Sequence, residues 1–275
     1  MIQIMNILAC PNCKGDLLEI SNGKKCPSCN KEFFFNNDVL SLLSEKSFEY
    51  EVKPEDWDDY AWEMIEVARG KNRTKKVLKY IPQEGLHLDI GIGRGDGTFE
   101  ISKKKETIGI DFGSRSLSVA KEKNRSIYQA DARKLPFKDS SFSSITLLDV
   151  IEHIPEPDLA VNEIFRVLMP GGVLILQTPS IESIQSKIVA INLYKSYKTI
   201  RFIDVIVNKF RKTPVSLNKN IGIQPYDEEL SRDDIFAIIK NNGFKAVKHK
   251  LVNYYVPQFF IQIFSYADLY ICKKN

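Results

Sequence analysis

Leu86-His87-Leu88-Asp89-Ile90-Gly91-Ile92-Gly93-Arg94-Gly95-Asp96-Gly97 is the stretch whose reading decides the fold. Apolar residues alternate up to Asp89, and glycines then fall at every second position from Gly91 to Gly97. Glycine lacks the Cβ that blocks close approach and penalises positive φ, so the pattern predicts a buried strand ending in a loop that lies against a nucleoside-bearing ligand. A dinucleotide loop wants G-x-G-x-x-G, and counting from Gly91 the third glycine is due at position 96, where the chain has Asp96. Asp89 and Asp96 also place carboxylates where a pyrophosphate would meet a helix N-terminus. A cationic cofactor removes that mismatch of sign.

S-adenosylmethionine carries a sulfonium and an ammonium and suits such a loop. Leu88-Asp89-Ile90-Gly91-Ile92-Gly93-Arg94-Gly95 resembles motif I of the class I S-adenosylmethionine-dependent methyltransferases, type 11 among them. Later stretches resemble the family's following motifs in order. Ile108-Gly109-Ile110-Asp111 resembles the second strand, Gln129-Ala130-Asp131-Ala132 with Leu135-Pro136-Phe137 the adenine-side motif, and Leu147-Leu148-Asp149-Val150-Ile151-Glu152-His153 the fourth strand. Glu163 to Gly172 resembles the helix and turn before the fifth. The resemblance implies an α/β fold with a doubly wound, mostly parallel, seven-stranded Rossmann-like sheet. It also implies cofactor contacts from Asp89, Gly91, Gly93, Asp111, Phe112, Asp131, Ala132 and Asp149. Asp111, about 20 residues past the loop, can accept from both ribose hydroxyls. Asp131 can accept from the adenine amino group, with the Ala132 N–H offered to a ring nitrogen, and Asp89 lies near the amino-acid end. For any one of these aspartates the competing reading is a helix N-cap.

The chain has 275 residues, enough for one catalytic domain and an attachment. With 43% hydrophobic and 27% charged residues it is not a disordered chain, and a net charge of +4 is too mild to argue for nucleic acid alone. No apolar run is long enough to span a bilayer, and the first residues lack the pattern of a signal peptide. A cytoplasmic location is the expectation.

Four of the five cysteines fall as Cys10-x-x-Cys13 and Cys26-x-x-Cys29. Paired thiolates on two tight turns make the tetrahedral sulfur shell that zinc prefers, so residues 1–44 are expected to form a structural zinc ribbon. A redox dithiol pair and an iron–sulfur site are the alternatives. The segment also resembles the small zinc-ribbon proteins that activate methyltransferases, and whether it touches substrate or partner stays open. Cys272 reads as a small buried hydrophobe.

Residues 45–56 read as a linker, and 57–275 as the methyltransferase domain. Strands are expected near 86–90, 106–110, 126–129, 144–148 and 173–178, with helices near 97–104, 114–124 and 157–168. Trp57, Tyr60 and Trp62 either line the acceptor site or pack a helix onto the domain. Residues 179–230 interrupt the pattern with a basic amphipathic stretch. That stretch is a helical lid, a surface for an anionic membrane, or one for a phosphate-bearing acceptor. Ser231 and Asp234 open a late helix, Asn242-Gly243 ends it, and Phe244 to His249 with Tyr266 to Cys272 close the sheet as an antiparallel pair.

Methyl transfer from a sulfonium depends mainly on alignment, and a base is required only when the acceptor must lose a proton. His153 is the candidate base, weighed against a structural role at the cofactor pocket. Three readings of function follow. The first is transfer to an O, N or C nucleophile on a small molecule, glycan or lipid-linked acceptor, with peripheral membrane contact allowed. The second is RNA base methylation. The third is a cofactor-binding scaffold without turnover. The sequence does not fix an oligomeric state.

Overall fold

The computed structural model describes residues 7–49, 52–57, 74–123, 126–179, 226–252 and 267–275. In chain order the strands are β1 Leu18–Ile20, β2 Gly23–Lys25, β3 Glu32–Asn36, β4 Val39–Ser41, β5 His87–Ile90, β6 Thr107–Asp111, β7 Ile127–Gln129, β8 Phe142–Leu148, β9 Leu168–Pro179, β10 Phe244–Val252 and β11 Ala267–Lys274. The α-helices are α1 Asp96–Ser102, α2 Ser114–Lys121, α3 Pro157–Val167 and α4 Arg232–Asn241. All strands belong to one sheet, ordered β1-β2-β3-β4-β7-β6-β5-β8-β9-β11-β10.

Among the described residues the sheet has eleven mixed strands, four more than the seven expected of the methyltransferase part. The reason is the amino-terminal segment, whose four short antiparallel strands continue the sheet instead of standing apart from it. β4 pairs in parallel with β7 through Leu40 with Tyr128 and Ser41 with Gln129. The Leu42 N–H then donates to the Gln129 carbonyl at 2.8 Å. An exposed strand edge carries unpaired backbone groups, and here the chain's own first segment covers one.

Side chains fasten the same seam. Leu8 bridges to Phe137, the Ala9 N–H donates to the Pro136 carbonyl at 2.9 Å, and Leu8, Phe33, Leu40 and Leu42 share a core with Leu88, Ile110 and Phe137. Lys14 Nζ reaches Glu163 on α3 at 2.7 Å and donates to the Leu135 carbonyl at 3.0 Å. Lys14→Met keeps the aliphatic stem and removes both contacts. Because the lysine is partly exposed, the expected loss is about 1 kcal/mol, read as a lower urea midpoint at unchanged slope.

The expected linker begins as structure, a 3-10 turn over Glu45–Phe48 capped by Ser44, with Ser47 fully buried. Among the parallel strands, β5 is flanked by β6 on one side and β8 on the other, so successive crossovers leave it in opposite directions. Such a reversal opens a crevice at the carboxyl ends of the strands. β9 starts earlier than expected. Its register against β8 shifts between Leu168 and Val173, so Met169 to Gly172 bulge within the strand and Gly171 takes a φ of 75°.

At the carboxyl end, Ser231 and Asp234 form the reciprocal cap of α4. β10 and β11 close the sheet antiparallel on β9. Cys272 is fully buried on β11, and burial pushes its thiol up to about 12. Tyr60, Trp62, residues 180–225 of the expected lid and the aromatic stretch 254–260 lie outside the described residues. Among the described residues no helix is long and apolar enough to cross a membrane.

Candidate active site

The loop after β5 turns on left-handed glycines. At Gly91, φ is 74° and an added Cβ would stand 2.3 Å from Val150 Cγ2, so the loop and the turn after β8 touch where no side chain fits. At Gly93, φ is 50° and an added Cβ would meet nothing within 4 Å. One glycine is required by packing, and the other opens onto free space at the crevice. A nucleoside could approach the backbone there.

Asp111, at the end of β6, holds that loop. Its Oδ2 accepts from the Gly93 N–H at 2.7 Å, and its Oδ1 accepts from the Gly113 N–H at 3.1 Å. A carboxylate oxygen can accept more than one hydrogen bond, as contact with paired hydroxyls would need. Phe112 follows, with its carbonyl accepting from Gln129 Nε2 at 3.0 Å.

Asp131 is buried and shares its carboxylate with Arg133. Oδ1 accepts from the Arg133 N–H and Nε, and Oδ2 from Nη2, each at 2.9 Å. The N-cap reading therefore holds for this residue, and an adenine amino group would have to use the capacity left on Oδ2. The Arg133 guanidinium also lies 5.8 Å from the Phe112 ring centroid, so Phe112, Asp131 and Ala132 are drawn together. Arg133 escaped the motif reading, and Gln129 was quoted in it without a role. A charged residue two positions after a strand-end aspartate was the available signal for Arg133.

Asp89 faces into the fold beneath the loop. Its oxygens accept from the Thr146 hydroxyl at 2.6 Å and the Thr98 hydroxyl at 2.7 Å, tying β5 to β8 and α1. Since Thr146 donates to Asp89, His87 Nε2, 2.9 Å away, must donate to Thr146, and Nδ1 accepts from Ser144 at 2.8 Å. Burial pushes the His87 imidazole down to about 3, so it stays neutral in this network. Asp96 is met by Lys123 at 2.9 Å. Of the two acids counted at the loop, Asp96 is thus paired with a cation and Asp89 is turned onto hydroxyls, while Asp111 and Asp149 stand at the ends of β6 and β8.

Asp149 takes a left-handed φ of 55° and accepts from Gln177 Nε2 at 2.8 Å. A non-glycine residue in that conformation is a local strain of the kind found at functional sites. The turn beyond it carries Glu152 and His153. The His153 Nδ1 lies 3.2 Å from the Tyr226 carbonyl and 3.5 Å from Asp227, and its ring centroid is 5.3 Å from that of Trp57. Desolvation lowers its pKa, so the imidazole is neutral near pH 7. Trp57 therefore sits beside the candidate base.

In the amino-terminal segment the Sγ atoms of Cys10, Cys13, Cys26 and Cys29 all lie within 4.8 Å of one another. Lys14 and Asn30 close the two knuckles with φ of 63° and 60°. Four convergent thiols on two tight turns fit a tetrahedral metal.

Comparison with known proteins agrees with this geometry. Residues 88–176 match a methyltransferase domain family. This stretch is a methyltransferase domain. The demethylmenaquinone methyltransferase of Staphylococcus aureus strain MRSA252 is 38% identical over 123 residues, 41% of this chain and 51% of that protein. The chain thus spans about half the length of the curated relatives it matches. Among solved structures, a SAM-dependent methyltransferase from Thermotoga maritima, described as a possible histamine N-methyltransferase, gives a TM-score of 0.53 at 19% identity, covering 76% of this chain and 92% of that one. A complex of the Haloferax volcanii Trm112 methyltransferase activator with a putative methyltransferase gives 0.57 at 14% identity, covering 80% and 95%. These two likenesses establish the class I methyltransferase fold around the domain.

Proposed function

We propose that the chain transfers a methyl group from S-adenosylmethionine to a nucleophilic O, N or C atom of a small-molecule, glycan or lipid-linked acceptor. The observation that carries the reading is the loop itself, with Gly93 facing open space while its N–H is held by Asp111. Asp111 would take the ribose, Phe112, Asp131 and Ala132 the adenine, and Gly91, Gly93 and Asp149 the amino-acid side, with Asp89 acting beneath the loop. Bound there, the donor supplies a methyl carbon already activated by its sulfonium. The protein's part is to align the acceptor, exclude water and receive a proton where one is lost. His153, neutral and beside Trp57, is the residue placed to receive it.

The relatives' name favours a quinone-derived ring as the acceptor within this class. The ribbon gives RNA little support, because Lys14, Lys24, Lys25 and Lys31 each meet a carboxylate. Phosphate binding needs cations not already neutralised. The four cysteines would hold one structural zinc, consistent with the reducing cytoplasm in which this reading places the protein.

Labelled methyl transfer to a fractionated lysate tests the assignment. Label is expected in the lipid or small-metabolite fraction. Label in RNA, falling steeply with salt, would establish the RNA reading, and binding of the donor without label in any fraction would establish a scaffold.

A further inference from the structure

Glu152 is the one acid at this site whose setting the methyltransferase reading does not explain. Only 4% of it is exposed. Its Oε2 accepts from the Thr178 hydroxyl on β9 at 3.1 Å, while its Oε1 is buried without a hydrogen-bond partner. His153 Nε2 stands 3.8 Å from Oε1, too far for a direct bond. The Glu228 N–H donates to the Glu152 carbonyl at 2.8 Å, strapping residues 226–229 across the turn. The charged groups that face the carboxyl are Asp149 from the end of β8, Asp227 from that strap, and His153 beside it. The neighbours from β9, Gln177 and Thr178, are uncharged.

An unpaired, buried carboxylate next to another acid is costly, and a carboxyl so placed keeps its proton. Burial first and the Asp149 charge second push Glu152 up to about 8. Glu152 lies two residues beyond Val150, whose Cγ2 would stand 2.3 Å from a Cβ on Gly91, so the turn that carries Glu152 borders the glycine loop. The charge of a cation bound at that loop would reverse the balance.

We propose that Glu152 is a charge-switched partner of the base: it is protonated before the methyl donor binds, yields that proton to solvent when the sulfonium arrives, and as a carboxylate steadies His153 as that residue takes up the acceptor's proton. The inference rests on the donor binding at the glycine loop. In the transfer, a bond forms between the acceptor's nucleophilic atom and the methyl carbon. The carbon–sulfur bond breaks with its electron pair returning to sulfur, and the acceptor's proton passes to His153 Nε2, whose positive charge the Glu152 carboxylate 3.8 Å away then balances. Sulfonium, carboxylate and neutral acceptor sum to zero charge before the step, and their products do so after it. The acceptor class is therefore narrowed to nucleophiles that carry a removable proton.

Proton release on binding tests this without turnover. S-adenosylmethionine is titrated into the full chain by calorimetry in buffers of different ionisation enthalpy, with S-adenosylhomocysteine, which lacks the sulfonium, as the second probe. A group raised to about 8 in the free protein and lowered in the complex releases protons between those two values, so the wild type should release roughly half a proton or more near pH 7. Release should vanish well above the free value, where Glu152 is already ionised, and be smaller with S-adenosylhomocysteine. Glu152→Gln should bind S-adenosylmethionine without that release. Thr178→Val, which removes the hydroxyl that donates to the Glu152 carboxylate, should move the release window to higher pH and serves if Glu152→Gln does not fold. Binding by the wild type with no proton release, or release undiminished in Glu152→Gln, overturns the proposal. A wild type that binds no S-adenosylmethionine overturns the parent reading instead.

Discussion

Cys10→Ser and Cys26→Ser are each expected to abolish a stoichiometry of about one zinc per chain and to lower the melting temperature of the whole protein. Chelation should do the same to the wild type. Structural zinc contributes on the order of 10 kcal/mol to domains too small to bury a sufficient core. A domain's whole stability is only about 5–15 kcal/mol. The effect will not stay local, because β4 supplies the hydrogen bonds that cover β7, and Leu8, Leu40 and Leu42 share a core with Leu88 and Phe137. Loss of the ribbon leaves β7 as a bare edge and Phe137 partly uncovered. One cooperative melting transition, shifted down as metal is removed, is the expected scan. A ribbon that melts separately while the main transition holds its temperature would show that the continuous sheet does not couple the two parts.

The second large effect is at Asp111. Asp111→Ala is expected to weaken S-adenosylmethionine binding by calorimetry by roughly a hundredfold, because it removes charge-assisted hydrogen bonds worth about 1.5–3 kcal/mol each. The substitution acts twice. It takes away the acceptor for ribose hydroxyls, and it leaves the Gly93 and Gly113 N–H groups without the partner that fixes the loop. Asp111→Asn keeps an acceptor oxygen and should fall in between. Unchanged affinity in Asp111→Ala would remove the ribose assignment, and the loop reading would then have to stand on Gly91 and Gly93 alone.

Sequence periodicity was most informative where strands are buried on both faces. The runs ending at Ile90, Asp111 and Leu148 lie within a strand or two residues of the predicted bounds, since a parallel strand covered by helices leaves a short apolar run with little ambiguity. The reciprocal cap at Ser231 was equally legible, because it depends on residues three apart. The sheet's eleven-strand extent was not. Nothing in Val39-Leu40-Ser41 specifies that its partner will be Tyr128-Gln129, more than eighty residues on. Pairing of edges depends on where the strands arrive, which local sequence does not encode.

The site divides in the same way. Asp111 was singled out by its resemblance to the family's second strand and by its spacing, and the structure shows it holding the Gly93 and Gly113 N–H groups. Asp131 carried the same kind of motif but is met by Arg133, and Asp96 by Lys123. The charge argument that first pointed to a cationic donor counted acids in sequence, whereas electrostatics depends on which acids remain uncompensated in space.

By itself, then, the sequence determined the glycine loop, the alternation of strand and helix, the two cysteine knuckles and the acids at strand ends, because backbone conformational preference and hydrophobic period act over a few residues. Only the tertiary structure decided that the ribbon would complete the sheet, that Asp89 would turn inward, and that Glu152 would be buried with an oxygen lacking a hydrogen bond beside His153. Those outcomes depend on distances between segments far apart in the chain, and burial and charge take their values only once such segments have met.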